Sequence, residues 1–186
     1  MFDEDIKIAS PGAVIKTKES AVNKPSSFKE EYDRESSSGN TEKAKQFGIS
    51  MADDLLENLQ NFAMEGEDSK TSDMALQRGI LMAFAANAVM EEHLKSSVVC
   101  MAAKNSFNNE LESLAPTLYK GIGDSGAFSF YYLAYRRGNE VDRRIGQTFA
   151  MLCAHDGDPI YQELGEAIYC WFISRVSKKL KEIGLE

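Results

Sequence analysis

Cysteine is scarce in this 186-residue chain, and its three cysteines lie far apart. Cys100, Cys153 and Cys170 are odd in number and form no Cys-x-x-Cys pair. A dispersed, odd set does not suit a disulfide framework, and it lacks the close spacing of a thiolate metal site. We therefore expect reduced, mostly buried thiols and no metal held by cysteine.

Long hydrophobic runs are also missing. The longest apolar stretch, residues 80–90, is about half the length of a membrane-spanning helix. The first ten residues, MFDEDIKIAS, are acidic and lack the basic start and apolar centre of a secretory signal. The sequence therefore predicts a cytoplasmic protein without a membrane span.

Basic residues are in deficit, because 21 Lys and Arg stand against 29 Asp and Glu and give a formal charge of -8. This balance disfavours a general nucleic-acid or anionic-membrane partner, both of which attract positive charge. The acid excess is local: residues 46–135 hold 12 acids and 5 bases, whereas residues 136–186 hold 8 of each. A site for a polyanion is therefore expected only where bases are concentrated.

The common catalytic signatures are absent as well. The chain contains no Gly-x-x-x-x-Gly-Lys loop, no Gly-x-Ser-x-Gly elbow, and neither His-Glu-x-x-His nor Glu-x-x-His. These motifs place phosphate-binding amides, a nucleophile or metal ligands in a fixed geometry. Their absence disfavours an enzyme, and we predict no cofactor, no metal ion and no catalytic residues.

One short segment, His155-Asp156-Gly157-Asp158, is open to two interpretations. An imidazole with two carboxylates can hold a divalent metal or transfer a proton, which would suit a metal-dependent enzyme. The structural interpretation explains more residues: His155 ends one helix, Gly157 turns the chain, and Asp158 caps the next helix. We favour the structural interpretation.

The first 45 residues are rich in Ser, Lys and Glu and contain Pro11 and Pro25. Such a segment buries too little apolar surface to fold alone, so it is expected to form a weakly structured arm. Within it, Ser27 and Glu30 have capping-box spacing, and Phe28 and Tyr32 lie on one helical face. We expect a short helix there that docks, through Phe28 and Tyr32, on the chain's own domain or on another chain.

Residues 46–186 show hydrophobic residues at helical spacing, interrupted by short links. The pattern predicts an all-α fold, a compact bundle of five to six mostly antiparallel helices. The predicted helices start at Ser50, at Thr71 or Ser72, after a kink near Asn105–Asn109, at Asp124 or Ser125, at Asn139 and at Asp158.

Two of these helices have the clearest signals. The second is apolar almost all round over residues 80–90, so it is expected to be central and to continue to about Lys104. The last begins with Asp158 as its cap and Pro159 in its first turn, and it stops at Gly184.

Four arginines form the one basic concentration. Arg136, Arg137, Arg143 and Arg144 flank the link between two predicted helices and are candidates for contact with an anion. A helix-turn-helix that binds DNA is one interpretation. We favour the alternative, in which Arg136 and Arg137 stabilise a helix end while Arg143 and Arg144 pair with acids from the negative half.

Aromatic residues crowd the C-terminal half, and most must be core. Some are expected to line a groove for a ligand or partner, with candidates on two predicted helices and at one position in the central helix. Asn87 belongs to this set because its amide lies in the most apolar helix and needs a hydrogen-bond partner. The groove candidates are Asn87, Phe128, Tyr132, Tyr135 and Trp171.

These observations favour a non-enzymatic interaction or regulatory module whose partner is a protein, either a second copy or another chain. The main alternative is a small-molecule or lipid binder that uses the aromatic half. A DNA-binding protein and a metal-dependent enzyme remain further alternatives.

Overall fold

The computed structural model describes residues 28–63, 69–124 and 126–185, and regular structure in these residues is entirely helical. The prediction of an all-α fold is confirmed, whereas the predicted number of five to six helices is wrong. Eight helices are present in the described residues: α1 Phe28–Ser37, α2 Asn40–Ala63, α3 Ser69–His93, α4 Ser97–Leu114, α5 Pro116–Asp124, α6 Ala127–Arg136, α7 Val141–Leu152 and α8 Pro159–Ile183.

Helix α3 forms the centre of the fold. Its residues 80–86 and 88–90 are all buried, as the nearly continuous apolar sequence predicts. Helices α2, α4, α5, α6, α7 and α8 all pack against it. Because every side of α3 meets another helix, its small alanines allow close approach while its larger residues fill the core.

The predicted extension of this helix to Lys104 is wrong. Helix α3 ends at His93, and Ser96 caps α4 with an extended backbone and a side chain that accepts a hydrogen bond from Val99 N at 3.4 Å. The predicted start of a new helix after Asn105–Asn109 is also wrong, since α4 continues through these residues. The buried side chains of Phe107 and Leu111 hold α4 against the core through this polar stretch.

Helix α2 starts at Asn40, ten residues before the predicted start at Ser50. Ala44, Phe47 and Met51 are buried and extend the apolar stripe of α2 toward its N-terminus. Burial of these side chains explains why the capping signal at Ser50 is not used. Residues 1–27, including the predicted cap Ser27, lie outside the described residues.

The most extensive helix contacts are those of α2 with α4 and of α7 with α8. A glycine allows each pair to approach closely. A Cβ atom on Gly48 would collide with the carbonyl oxygen of Ala103, and one on Gly146 would collide with that of Gln162. These two crossings therefore require residues without a side chain.

Helix α8 begins and ends as predicted, but the caps predicted for α6 and α7 are wrong. The Asp158 carboxylate accepts a hydrogen bond from Ile160 N at 2.9 Å, Pro159 follows it, and Gly184 has a left-handed φ of 68°. The N-caps of α6 and α7 are Gly126 and Glu140, both left-handed and without a capping side-chain bond, instead of Asp124 and Asn139. The alternative cap Ser125 lies outside the described residues.

Candidate ligand cavity

A half-open cavity of about 260 Å³ lies between α3, α4 and α6. Four of the five residues predicted to line a groove meet there: Asn87, Phe128, Tyr132 and Tyr135. The remaining lining residues are Phe84, Ala88, Glu91, Lys104 and Ser129.

Helical spacing explains why these side chains converge. Phe84, Asn87 and Glu91 are three and four residues apart, so they share one face of α3. Phe128, Tyr132 and Tyr135 repeat the same spacing on α6, which packs against α3. The cavity is therefore formed mainly by one face of α3 and one face of α6.

Aromatic rings form a packed wall around Phe84, which is 3% exposed. The ring of Phe128 meets it edge-on with centroids 5.7 Å apart, and the ring of Tyr135 does so at 6.2 Å. Tyr131 lies behind it at 5.4 Å. Such edge-to-face contacts hold the rings in place, so the wall is formed in the absence of a ligand.

Asn87 is partnered within its own helix. Its Nδ2 donates to the carbonyl oxygen of Ala83 at 2.9 Å, so the predicted need for a hydrogen bond is met without a neighbouring helix or a ligand. One bond uses only part of the capacity of an amide, which has two N–H donors and an acceptor oxygen. The amide thus remains able to contact a molecule in the cavity that it lines.

Glu91 and Lys104 line the cavity, and Glu92 contacts the lining residue Tyr135. Lys104 Nζ forms an ion pair and hydrogen bond with Glu91. The Tyr135 hydroxyl donates to Glu92 Oε2 at 2.7 Å, and burial, this bond and nearby negative charge together raise the pKa of Tyr135 to about 12. Tyr135 therefore stays neutral at pH 7.

A cation already lies over one aromatic ring at this place. The guanidinium carbon of Arg136 is 5.5 Å from the centroid of the Tyr132 ring. This distance is within the range of a cation–π interaction. Tyr132 is 45% exposed, so its ring borders both the cavity and solvent.

Trp171 does not join the other groove candidates. It lies on α8, is 41% exposed, and packs against Phe172 with ring centroids 5.6 Å apart. Sequence reasoning missed Phe84, Glu91 and Lys104. The spacing from Asn87 could have indicated Phe84 and Glu91, whereas no local signal connects Lys104 to this cavity.

Phe28 and Tyr32, the predicted docking residues, are 56% and 49% exposed. Helix α1 instead contacts the bundle through Glu31, whose carboxylate accepts hydrogen bonds from the hydroxyls of Ser96 at 2.8 Å and Ser97 at 2.9 Å. The Ser97 backbone N–H donates to the same carboxylate at 3.0 Å. The two rings therefore stay largely uncovered although α1 is attached to the bundle.

The four arginines have separate surroundings. Arg143 pairs with Glu140 at 3.5 Å, on its own helix turn, so its predicted pairing with an acid from the negative half is wrong. Arg144 Nη1 is buried and has no hydrogen-bond partner among the described residues. Of the acids in that half, Asp54 pairs with Arg175 at 3.0 Å and with Lys179 at 3.6 Å, both on α8.

The segment around His155 has structural contacts. The imidazole stacks on the Tyr161 ring with centroids 3.7 Å apart, and its Nδ1 lies 3.9 Å from Asp158, which also caps α8. Within residues 28–63, 69–124 and 126–185, no three His, Cys, Asp or Glu side chains group so as to hold a metal ion. All three cysteines are free: Cys100 and Cys153 are half-buried and Cys170 is exposed.

No protein-family model, curated protein or solved structure matches the chain. None of the helices in the described part of the chain combines the length and hydrophobicity of a membrane span.

Proposed function

We propose that this protein is a non-enzymatic binding protein that holds a small organic cation in the cavity between α3, α4 and α6. The observation that carries the proposal is the convergence of aromatic rings from α3 and α6 beside the carboxylates of Glu91 and Glu92. Pockets of this kind, mostly apolar with a few polar groups, are the usual form of small-molecule sites.

The size of the cavity limits the ligand. A volume of about 260 Å³ corresponds to roughly eight or nine water molecules at ~30 Å³ each. It suits an amine with a few carbon substituents and excludes an entire lipid. The rings of Phe84, Phe128 and Tyr132 would contact the carbon atoms of such a ligand.

Charge favours a cation over an anion. Aromatic faces attract positive charge, and Arg136 already uses the Tyr132 ring in this way. Glu91 and Glu92 balance the charges of Lys104 and Arg136 beside the cavity, so the local charge does not repel a cation. The surrounding half of the domain is acidic, which raises the local concentration of cations.

A pair of probes tests both the site and its preference for charge. Choline and 3,3-dimethylbutan-1-ol have the same shape, but only choline is charged. We expect choline to bind about ten-fold more tightly, a difference of about 1.4 kcal/mol, as measured by NMR titration. Equal affinity of the two probes would contradict the cationic class, and absence of binding by both would contradict the assignment of the cavity to ligands of this shape.

Two matched substitutions on α6 test the location. Tyr132→Ala removes a ring from the cavity, whereas Phe130→Ala removes a similarly exposed ring that does not line it. Choline binding should weaken about ten-fold in the first variant and stay unchanged in the second. Equal effects would place the bound choline elsewhere.

The Glu91–Lys104 ion pair tests whether charge beside the cavity affects choline binding. Glu91→Gln leaves the positive charge of Lys104 without its partner and should weaken choline binding. Lys104→Met removes that positive charge and should strengthen the binding. The same direction of change in both variants would contradict an electrostatic role for this pair.

A second candidate function is self-association through α1. The exposed Phe28 and Tyr32 are four residues apart and share one helix face that the bundle does not cover. A Phe28→Ser/Tyr32→Ser variant should then have half the solution mass of the unmodified protein by light scattering. An unchanged mass would contradict this candidate, whatever the outcome at the cavity.

A further inference from the structure

A second concave surface lies on the opposite side of α6, in the groove between α6 and α7. This α6–α7 groove has a volume of about 380 Å³. Its apolar lining is Phe130, Leu133, Ala134 and Met151, and its charged lining is Arg137, Arg144 and Asp156.

The apolar side chains of this groove are unusually exposed. Phe130 is 48% exposed, Leu133 59% and Met151 39%. Their neighbours in sequence, Tyr131 and Ala150, are buried, so both helices pack against the core. Phe130, Leu133 and Met151 themselves are not fully covered by the described residues. Exposed apolar side chains that share one groove suit an interaction site.

The charges of the groove specify what can cover it. Arg144 Nη1 is buried without a hydrogen-bond partner among the described residues, a state that costs free energy unless an acceptor arrives. Arg137 lies at the same groove and Asp156 offsets one of the two positive charges. The occupant must therefore bring apolar side chains together with carboxylates.

We propose that the α6–α7 groove binds residues 2–8 of the same chain, the acidic segment FDEDIKI. These residues lie outside the described part of the chain and combine Asp3, Glu4 and Asp5 with Phe2 and two isoleucines. Arginine and carboxylate form strong, often bidentate hydrogen bonds, which suits Arg137 and Arg144. The acidic half of the domain repels the same segment, so the basic end of α6 and α7 is its complement.

The connection is long enough for this contact. Nineteen residues, 9–27, separate the acidic segment from the start of α1. A chain of that length can span up to about 60 Å, whereas a domain of this size has a radius of gyration of about 15 Å. Binding within one chain also raises the effective concentration of the segment, so weak individual contacts suffice.

The methyl group of Met151 provides a reporter inside the groove, and that of Met101, 51% exposed on α4, provides a reference outside it. We would compare the full chain with an Asp3→Lys/Glu4→Lys/Asp5→Lys variant by methyl NMR. The Glu65→Lys/Glu67→Lys/Asp68→Lys variant changes the net charge equally and serves as the control. The Met151 signal should move in the first variant alone, and the Met101 signal in neither.

Addition of a synthetic peptide with residues 1–10 to the Asp3→Lys/Glu4→Lys/Asp5→Lys protein should return the Met151 signal toward its original position. Arg137→Glu, introduced into that protein, should weaken peptide binding at least ten-fold, whereas Arg143→Glu, outside the groove, should change it less than two-fold. An unchanged Met151 signal on reversal of the segment's charge would overturn the proposal. A Met151 signal that changes on ten-fold dilution would also overturn it and assign the groove to a second copy.

Discussion

Helices α6 and α7 adjoin each other in sequence and space, yet they are packed to different degrees. Helix α7 meets α8 so closely that Gly146 cannot accept a Cβ atom, and its Phe149 is completely buried. Helix α6 buries Tyr131 but leaves Phe130 and Leu133 about half exposed. Buried side chains such as Phe149 and Tyr131 hold the bundle together, whereas Phe130 and Leu133 remain available for binding.

The largest difference is expected for truncation of the two phenylalanines. Phe149→Ala should lower the free energy of unfolding by about 3–5 kcal/mol, because it removes a fully buried ring and leaves a cavity. Phe130→Ala should cost less than about 1 kcal/mol, since half of its ring already meets solvent. Urea denaturation measures both. Similar losses would mean that Phe130 holds the bundle together as Phe149 does.

A smaller effect is expected at the glycine crossings, where one helix backbone meets another. Gly48→Ala should destabilise the protein by about 1–3 kcal/mol, because its methyl group would force α2 and α4 apart. Gly123, in α5, has no atom within 4 Å of a Cβ position. Gly123→Ala should therefore stabilise the protein by about 0.5 kcal/mol through its helix propensity. A loss of stability in the Gly123 variant would contradict this assignment of open space.

The regions that could be predicted from sequence are those determined by local patterns. Residues 80–90 indicate a central helix because they are apolar on nearly every side. Asp158 and Gly184 mark the two ends of α8, because each caps the helix within its adjoining turn. The same holds for the α6 face of the cavity. Phe128, Tyr132 and Tyr135 share that face through their spacing alone.

The regions that could not be predicted depend on contacts between distant residues. The break before α4 is stabilised by Glu31, which binds Ser96 and Ser97 from 65 and 66 residues away. Gly48 fits closely against Ala103, which seats α4 on α2 across its asparagines. Lys104 joins the cavity only because α4 lies beside α3.

A smaller difference in stability is expected between the hydroxyls of Tyr131 and Tyr135 on α6. The Tyr131 hydroxyl is buried without a hydrogen-bond partner among the described residues, and burial raises its pKa well above the usual value. Tyr131→Phe should therefore be neutral or stabilising by up to about 1 kcal/mol. Tyr135→Phe removes the bond to Glu92 and should cost about 0.5–1 kcal/mol. A marked loss in Tyr131→Phe would instead indicate that an internal water or a ligand binds its hydroxyl.

The smallest effect is expected at α1, which is attached by polar contacts at Glu31. Hydrogen bonds from Ser96 and Ser97 are the main cause that lowers the Glu31 pKa below its ordinary value of 4.5. A lowered folded-state pKa means that the carboxylate stabilises the attachment fully above about pH 4.5 and loses this effect as the pH falls through the lowered value. Near neutral pH, the contact should be insensitive to pH.

The Ser97 amide signal in NMR measures this contact directly, because its N–H donates to Glu31. Between pH 7 and pH 3 the signal should move with a midpoint below 4.5, the ordinary Glu value. In Glu31→Gln, which keeps an acceptor oxygen but does not titrate, the signal should stay in place. A midpoint above the ordinary value would show that burial outweighs the hydrogen bonds. The attachment of α1 would then strengthen on acidification. In that case burial, as in the apolar core, would be the dominant effect at Glu31.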